Sequence, residues 1–283
     1  MLGAIIGDIV GSRFEWHNHK DKHFELFTED CRMTDDSIMT LAVAKALMET
    51  EKAMESVANG QERNYILLEK MSIQYMQAFG RRYPDCGFSR TFFQWILSDD
   101  PQPYNSFGNG AAMRISPVAY VGRTENEIQA LSETVTGVSH NHEEGLKGAE
   151  ATATAIFMAR SGSSKDDIRT KITNYYSLDF TLDEIRDSYR FTTDCQATVP
   201  QAIVAFLEST SFEGALRNAV SLGGDSDTLA AIAGAIAEAY YGIPEGIKEQ
   251  ALTYFDEELH SVYEEWVPFI KWYNNLVKNE FWS

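Results

Sequence analysis

Apolar side chains recur along most of the chain with the three- and four-residue spacing of an amphipathic α-helix. In Ser37–Glu49, for example, Ile38, Leu41 and Ala42 fall on one helical face. The same pattern predicts further helices over Glu62–Phe79, Glu125–Val138, Gly145–Ala159, Val199–Leu207, Phe212–Val220, Thr228–Tyr241 and from Gly246 to the C-terminus. Alternating runs typical of β-strands are scarce and no β-α-β rhythm appears, so the pattern predicts an all-α fold.

Turn-rich segments separate these predicted helices. They lie at Gly80–Gly87, Asp99–Gly110, Gly122–Thr124, Ser161–Asp167 and Leu222–Asp225. None of them has the length or the composition of a flexible linker. A chain of 283 residues can bury a large core as one big domain or as two, and the breaks alone leave both arrangements open.

Composition adds a strong negative charge, with 24 basic and 42 acidic residues and a net charge of −18. Such a surface repels phosphate backbones, so we expect no nucleic-acid partner. The cysteines Cys31, Cys86 and Cys195 lack zinc-site spacing and fit a reducing compartment. The apolar opening has no basic residues before it and is interrupted by Asp8, and no window is long enough to span a bilayer. We therefore expect a cytoplasmic protein with no membrane partner, and the sequence leaves its oligomeric state open.

Two short acidic segments, far apart in the chain, each stand where a polar loop meets an alanine-rich predicted helix. They are Thr34-Asp35-Asp36-Ser37 and Gly223-Gly224-Asp225-Ser226-Asp227-Thr228. Taken singly, either segment can be read as a helix cap with acidic residues in the first turn. Together they offer four carboxylates and two hydroxyls, the hard oxygen donors that suit a pair of Mg²⁺ or Mn²⁺ ions. We therefore predict that folding unites both segments in one domain, residues 1–283.

Five motifs in consistent order resemble those of the ADP-ribosylglycohydrolase family, which includes dinitrogenase-reductase-activating glycohydrolases and ADP-ribosyl-arginine and ADP-ribosyl-serine hydrolases. Besides the acidic segments they are the glycine-rich stretch from Gly3 to Glu15, the segment from Gly108 to Arg114, and Ser139-His140. The resemblance covers nearly the full length. It implies a compact multi-helix fold with two Mg²⁺ or Mn²⁺ ions in a central cleft, held by Thr34, Asp35, Asp36, Asp225, Asp227 and Thr228. It also implies hydrolysis of the bond between ADP-ribose and a modified side chain.

By the same resemblance, catalytic roles are expected for Glu15, Asp36 and Asp85. Read alone, Asp85 is an ordinary turn aspartate and Glu15 an ordinary surface glutamate. The implied substrate-binding residues are Gly108, Asn109, Gly110, Ala111, Met113 and His140. From the residues alone, the segment 108–114 is either a β-turn before a buried helix or a nest of backbone N–H groups that cradles a diphosphate.

The first hypothesis is therefore a metal-dependent hydrolase that frees ADP-ribose from a protein or small molecule, with ADP-ribosyl-arginine as the first acceptor considered because of Asp85. A non-catalytic, crystallin-like structural or ADP-ribose-binding member is the second hypothesis. The third is a metal-dependent nucleotide phosphohydrolase, a class that usually mixes histidine with carboxylate ligands and would release AMP. The segments His17–Cys31 and Gly80–Pro103 are expected to form the cleft rim, and neither identifies the acceptor.

Overall fold

The structure, a computed structural model, describes residues 1–55 and 64–281 and is mainly helical within these ranges. Within them no β-strand occurs, and Gly108 and Asp194 form an isolated bridge. The all-α prediction is confirmed. The helices are α1 (Leu2–Gly11), α2 (Asp35–Glu55), α3 (Tyr65–Arg82), α4 (Arg90–Leu97), α5 (Gly110–Met113), α6 (Val118–Val121), α7 (Glu125–Gly137), α8 (Glu143–Arg160), α9 (Lys165–Ile172), α10 (Leu182–Ile185), α11 (Cys195–Leu207), α12 (Phe212–Val220), α13 (Ser226–Tyr241), α14 (Glu245–Leu252) and α15 (Glu257–Phe281), with a 3₁₀ turn at Ser12–Phe14.

Helix α13 forms the centre of the fold, because every residue from Ser226 to Ala237 is buried. It packs against α1, α8, α11 and α12. The contact with α1 is a close approach of two backbones: a Cβ atom at Gly7 would overlap the carbonyl of Ala230, and one at Gly11 would lie 2.5 Å from the Cα of Asp227. Only glycine fits at these positions of α1, and the end of α1 is thereby fixed beside the start of α13.

Several helix boundaries differ from the predicted ones. The predicted C-terminal segment from Gly246 is divided into α14 and α15, because the Asp256 carboxylate accepts a hydrogen bond from the Leu259 N–H (2.8 Å) and starts a new helix. The predicted break at Ser161–Asp167 is too long, since Ser164 and Asp167 form a capping box that begins α9 at Lys165. Helix α2 is also longer than predicted at both ends.

Two further differences concern helices that the periodicity missed or misplaced. Helix α4 falls within the predicted rim segment and is capped by Ser89, whose hydroxyl accepts from the Phe92 N–H. Helix α11 begins at Cys195, ahead of the predicted start at Val199, and continues through Pro200. The predicted start of another helix at Glu62 lies outside the described residues. Among the described helices, none combines the length and the hydropathy needed to cross a bilayer.

Candidate active site

A cavity of about 300 Å³ opens where the starts of α2 and α13 meet the loop that leads into α5. Most of the residues singled out in the sequence line it: Glu15, Asp35, Asp36, Gly108, Asn109, Gly110, Met113, His140, Asp225, Asp227 and Thr228. Thr34 and Ala111 are buried just behind this lining. Folding therefore unites the two acidic segments, although they are separated by most of the chain.

The Asp8 carboxylate holds the first acidic segment in place by hydrogen bonds. Its carboxylate accepts hydrogen bonds from the Thr34 N–H (2.8 Å), the Thr34 hydroxyl (2.6 Å) and the Ser37 N–H (3.1 Å), and also from the Ser37 hydroxyl. The Thr34 hydroxyl gives its only proton to Asp8, and its oxygen accepts a hydrogen bond from the Asp36 N–H at 3.3 Å, which leaves one lone pair for another group. Asp8 thus fixes the start of α2 and the orientation of Thr34 together.

Asp36 is the least satisfied member of the cluster. It is 3% exposed, and its Oδ2 accepts a hydrogen bond from the Thr228 hydroxyl at 3.3 Å. Its Oδ1 is buried and has no hydrogen-bond partner. An ionised oxygen in this position is costly unless a cation or a donor meets it, so Asp36 is suited to ligate a cation.

Asp225 is held in place by Asn109, whose side-chain N–H donates to Asp225 Oδ2 at 2.6 Å and also reaches the Thr198 hydroxyl at 3.2 Å. The carboxylate of Asp225 does not cap α13, although the residue stands at the N-cap position. The capping interpretation of this segment is therefore wrong for Asp225. Asn109 also links the α5 loop to the α13 loop across the cavity.

The carboxylates are packed closely enough to repel one another. One oxygen each of Asp8, Asp36 and Asp227 lie within 4.8 Å of one another, and the same holds for Glu15, Asp225 and Asp227. Burial raises the pKa of Asp227 well above its ordinary value, and the charges of Asp225, Asp36, Glu15 and Asp8 raise it further. The two groups share Asp227, and each of them could hold a metal ion.

Glu15 and Asp35 stand nearer the opening. Burial, and next the charge of Asp225, raises the pKa of Glu15 to about 7, and these effects outweigh the opposing charge of Arg32. Burial also raises the pKa of Asp35 to about 7. The Asp35 N–H donates to the Cys86 carbonyl at 3.1 Å, which ties the start of α2 to the turn before α4. Both carboxyl groups therefore change protonation near neutral pH.

The opposite wall is formed by the segment 108–114 and His140. The His140 Nδ1 atom is 2.8 Å from the Ser139 hydroxyl, and burial lowers the pKa of this histidine well below its ordinary value, so it is neutral. Arg114 is buried, lies 4.4 Å from the centre of the Phe92 ring and donates to the Gly110 carbonyl. A neutral imidazole and one buried cation thus face the carboxylates across the cavity.

Two features expected at the site, Asp85 and the segment His17–Cys31, do not line the cavity. Asp85 is exposed and does not line the cavity, whereas Gly87 of the same turn does. The predicted rim segment Gly80–Pro103 contributes Gly87, Ser89 and Phe92, but no residue of His17–Cys31 lines the cavity.

Sequence reasoning missed the roles of three other residues. Asp8 was noted only as an interruption of an apolar run. Trp16 and Phe191 both line the cavity, and their rings stack 5.0 Å apart. The candidate role of Glu15 makes its neighbour Trp16 a plausible cavity residue. No sequence pattern predicts that Trp16 contacts Phe191, which lies 175 positions further along.

The carboxylates at the starts of two buried helices form groups that could hold a metal ion in this cavity. The ADP-ribosylglycohydrolase family model matches residues 1–273, and the chain belongs to this family. It is 25% identical to ADP-ribosylhydrolase ARH3 of Homo sapiens, with 93% of this chain and 92% of that protein covered. It is 26% identical to ADP-ribosylarginine hydrolase Tri1 of Pseudomonas putida, with 92% of this chain and 75% of that protein covered.

A solved structure described as an ADP-ribosylglycohydrolase-related protein complex shares the fold, with a TM-score of 0.65 and 22% identity over 92% of this chain and 93% of that one. The family match and the named relatives support an ADP-ribosylhydrolase activity.

Proposed function

We propose that the chain is a metal-dependent hydrolase that cleaves the glycosidic bond between ADP-ribose and a modified acceptor. The observation that carries this proposal is the position of Asp227, which has a carboxylate oxygen within 4.8 Å of oxygens of Asp36, Asp225 and Glu15, together with the buried Asp36 oxygen that has no partner. The family match supports the ADP-ribosyl specificity. Residues from both ends of the chain build the cavity, which supports a single domain over residues 1–283.

The donor set fits two hard divalent cations such as Mg²⁺ or Mn²⁺. The proposed ligands are Thr34, Asp35, Asp36, Asp225, Asp227 and Thr228, with Glu15 beside them at the opening. Asp8 is not included, because its carboxylate already accepts four hydrogen bonds from Thr34 and Ser37. Its proposed role is to fix the orientation of the Thr34 hydroxyl, to which it is hydrogen-bonded at 2.6 Å.

When bound, such cations can hold the hydroxyls of a ribose and lower the pKa of a coordinated water. The protein residues divide the remaining work. Glu15 is half-buried beside the opening, and its pKa of about 7 suits it to accept a proton from the attacking water. Asp36 lies deeper, where its carboxylate stabilises positive charge that develops on the sugar during glycosidic cleavage. Asp85 is exposed, and its catalytic role remains a prediction.

The wall opposite the carboxylates is the proposed site for the diphosphate and the distal ribose. Gly108, Asn109 and Gly110 line it, and a Cβ at Gly110 would lie 2.8 Å from an Arg114 nitrogen and 3.2 Å from His140 Nε2. Glycine therefore keeps this wall open in front of a buried guanidinium, which would attract an anion. Ala111 and Met113 complete the proposed substrate-binding set behind it.

Arginine is the acceptor that we propose first. The relative Tri1 is named an ADP-ribosylarginine hydrolase, and a cavity rich in carboxylates favours a cationic leaving group. The test is mass spectrometry of products after incubation with ADP-ribosyl-arginine and ADP-ribosyl-serine peptides, with Mg²⁺ and with EDTA. Intact ADP-ribose is expected only with metal, and it should disappear in Asp227→Ala, checked for folding by circular dichroism.

Each other product identifies a different function. AMP in place of ADP-ribose would point to a phosphohydrolase. Binding of ADP-ribose without turnover would point to a non-catalytic member of the family. Equal release with metal and with EDTA would refute the metal requirement.

A further inference from the structure

Two exposed aromatic side chains stack at the mouth of the cavity. Trp16 is 71% exposed and Phe191 is 42% exposed, yet both line the cavity. Their ring centres are 5.0 Å apart with an angle of 22° between the planes. Neither ring belongs to the buried core, so packing of the fold does not account for a tryptophan that keeps most of its surface in water.

The loops that carry these rings are fixed to each other. The Lys20 ammonium donates to the Tyr189 carbonyl at 2.8 Å and also to the Leu222 carbonyl. Asn18, at φ 45°, accepts a hydrogen bond from the Gly224 N–H at 3.2 Å. The Trp16 loop is thus bound to the segment before Phe191 and to the loop that leads into Asp225. The aromatic pair is held at a set position relative to the carboxylates.

Both signs of charge lie near the pair, since Glu15 precedes Trp16 and Arg190 precedes Phe191, but of these two only Glu15 lines the cavity. Trp16 directly follows Glu15, whose carboxylate lies within 4.8 Å of oxygens of Asp225 and Asp227. A planar cation is the group best suited to this setting, because it can stack on an indole face and donate hydrogen bonds to a neighbouring carboxylate. A guanidinium meets both requirements, whereas a serine side chain has neither a plane nor a charge.

We propose that Trp16 and Phe191 form the acceptor subsite, in which the guanidinium of an ADP-ribosylated arginine lies on Trp16 next to Glu15. This inference rests on the proposed function, since it concerns the leaving-group side of the same reaction. The pair adjoins the carboxylates proposed to hold the ribose that carries the scissile bond. The wall proposed for the diphosphate is formed by the segment 108–114.

The experiment compares Trp16→Leu and Trp16→Phe with the wild type on ADP-ribosyl-arginine and ADP-ribosyl-serine peptides. Leucine keeps an apolar surface but removes the π face, so kcat/KM for the arginine peptide should fall about three- to tenfold, while the serine peptide changes less than about twofold. Phenylalanine should restore part of the loss. Tyr240→Leu is the control, because this exposed aromatic lies at the far end of α13, about 20 Å from Asp227 along the helix.

Binding of free ADP-ribose, measured by isothermal titration, separates the two ends of the substrate. The inference expects the same Kd in the wild type and in Trp16→Leu, because ADP-ribose has no acceptor. A weaker Kd in the variant would mean that the pair contacts the nucleotide, and equal losses of kcat/KM on both peptides would mean that it does not select the acceptor. Either result overturns the inference and leaves the hydrolase proposal intact.

The wild type also decides between the two proposals. If it releases ADP-ribose from the serine peptide alone, the guanidinium subsite is wrong while the proposed hydrolase stands. If it releases ADP-ribose from neither peptide and does not bind ADP-ribose, the proposed function is refuted, and the acceptor subsite with it. Melting temperatures of all variants within about 2 °C of the wild type are expected, since Trp16 is largely in water.

Discussion

Replacing Asp36 with asparagine should stabilise the protein when metal is removed, even though it should abolish turnover. The wild-type carboxylate is buried, one of its oxygens has no partner, and the nearby charges of Asp8, Asp35 and Asp225 all raise its pKa after burial itself. The folded chain therefore holds a proton on Asp36 to a higher pH than the unfolded chain does. Stability falls as pH rises through this range, and an amide removes the penalty.

The size of the gain follows from the unsatisfied oxygen. A buried group without a partner costs about 1–3 kcal/mol, and more when it is charged. A gain of about 2 kcal/mol in the free energy of unfolding corresponds to a rise of about 3–6 °C in melting temperature for a chain of this size. Saturating Mg²⁺ should reverse the order, because the wild type gains about 2.7 kcal/mol when the metal is at one hundred times its Kd.

Asp8→Asn is the matched control, since Asp8 belongs to the same buried cluster but is fully hydrogen-bonded. Its two oxygens accept four hydrogen bonds from Thr34 and Ser37. Three of these bonds go to Oδ2, so an amide with its oxygen at that position loses only the bond from the Thr34 hydroxyl to Oδ1, at a cost of about 1–3 kcal/mol. Burial raises the pKa of Asp8 as well, so the amide removes a similar penalty there but loses a hydrogen bond, and the change should stabilise less at position 8 than at position 36.

The assay is thermal unfolding at pH 5 and pH 8, with EDTA and with saturating Mg²⁺, for the wild type and both variants. The advantage of Asp36→Asn in EDTA should be larger at pH 8 than at pH 5. If the melting temperature of Asp36→Asn in EDTA at pH 8 is equal to or lower than that of the wild type, repulsion between the buried carboxylates is not the main contribution of this site to the free energy of unfolding. The reasoning would then be refuted.

Three further outcomes are expected. The wild type in EDTA should lose stability between pH 5 and pH 8. Burial raises the pKa of Asp35 to about 7, so the folded chain keeps this proton to a higher pH than the unfolded chain does. A melting temperature that does not change over this range would contradict the pKa shift. Gly87→Ala should weaken Mg²⁺ binding about tenfold in calorimetric titrations, because Gly87 has φ 126° and a Cβ there would lie 2.8 Å from Asp35 Oδ1. Gly137→Ala is the control: a Cβ at Gly137 meets open space, so this variant should bind Mg²⁺ as the wild type does. Asn109→Ala should lower Mg²⁺ affinity about 10–100-fold, because Asp225 loses its 2.6 Å hydrogen bond, and an unchanged titration would rule out this orienting role.

The sequence predicted those features of the site that depend on the residue types within one short segment. The acidic residues at Thr34–Ser37 and Gly223–Thr228 stand at helix starts, and their residue types alone indicate a cation site. Periodicity predicted the buried alanine-rich helices, because their apolar faces are continuous. Helix ends were less predictable: the break before α15 depends on one capping bond from Leu259 to Asp256.

Contacts between loops that are far apart in the chain could not be predicted from the sequence. Asp8 looked like a defect in an apolar run, because its partners Thr34 and Ser37 are met only after α1 packs beside the start of α2. Trp16 and Phe191 come from loops that the sequence does not connect. In the turn before α4 the sequence singled out Asp85, whereas two residues later Gly87 lines the cavity. These outcomes depend on tertiary packing, which residue type and spacing do not encode locally.

The contact between the starts of α2 and α13 also bears on how the protein is synthesised. Asp36 and Thr228 touch although they are 192 positions apart, so ribosomes adding about 5–20 residues per second need about 10–40 s between them. During that interval the N-terminal carboxylates have no α13 against which to form a cavity. We expect a nascent chain to acquire its metal-binding capacity only after α13 has emerged. Metal binding by a nascent chain would then show that α13 has been translated. A chain whose synthesis stops before α13 should not bind the metal.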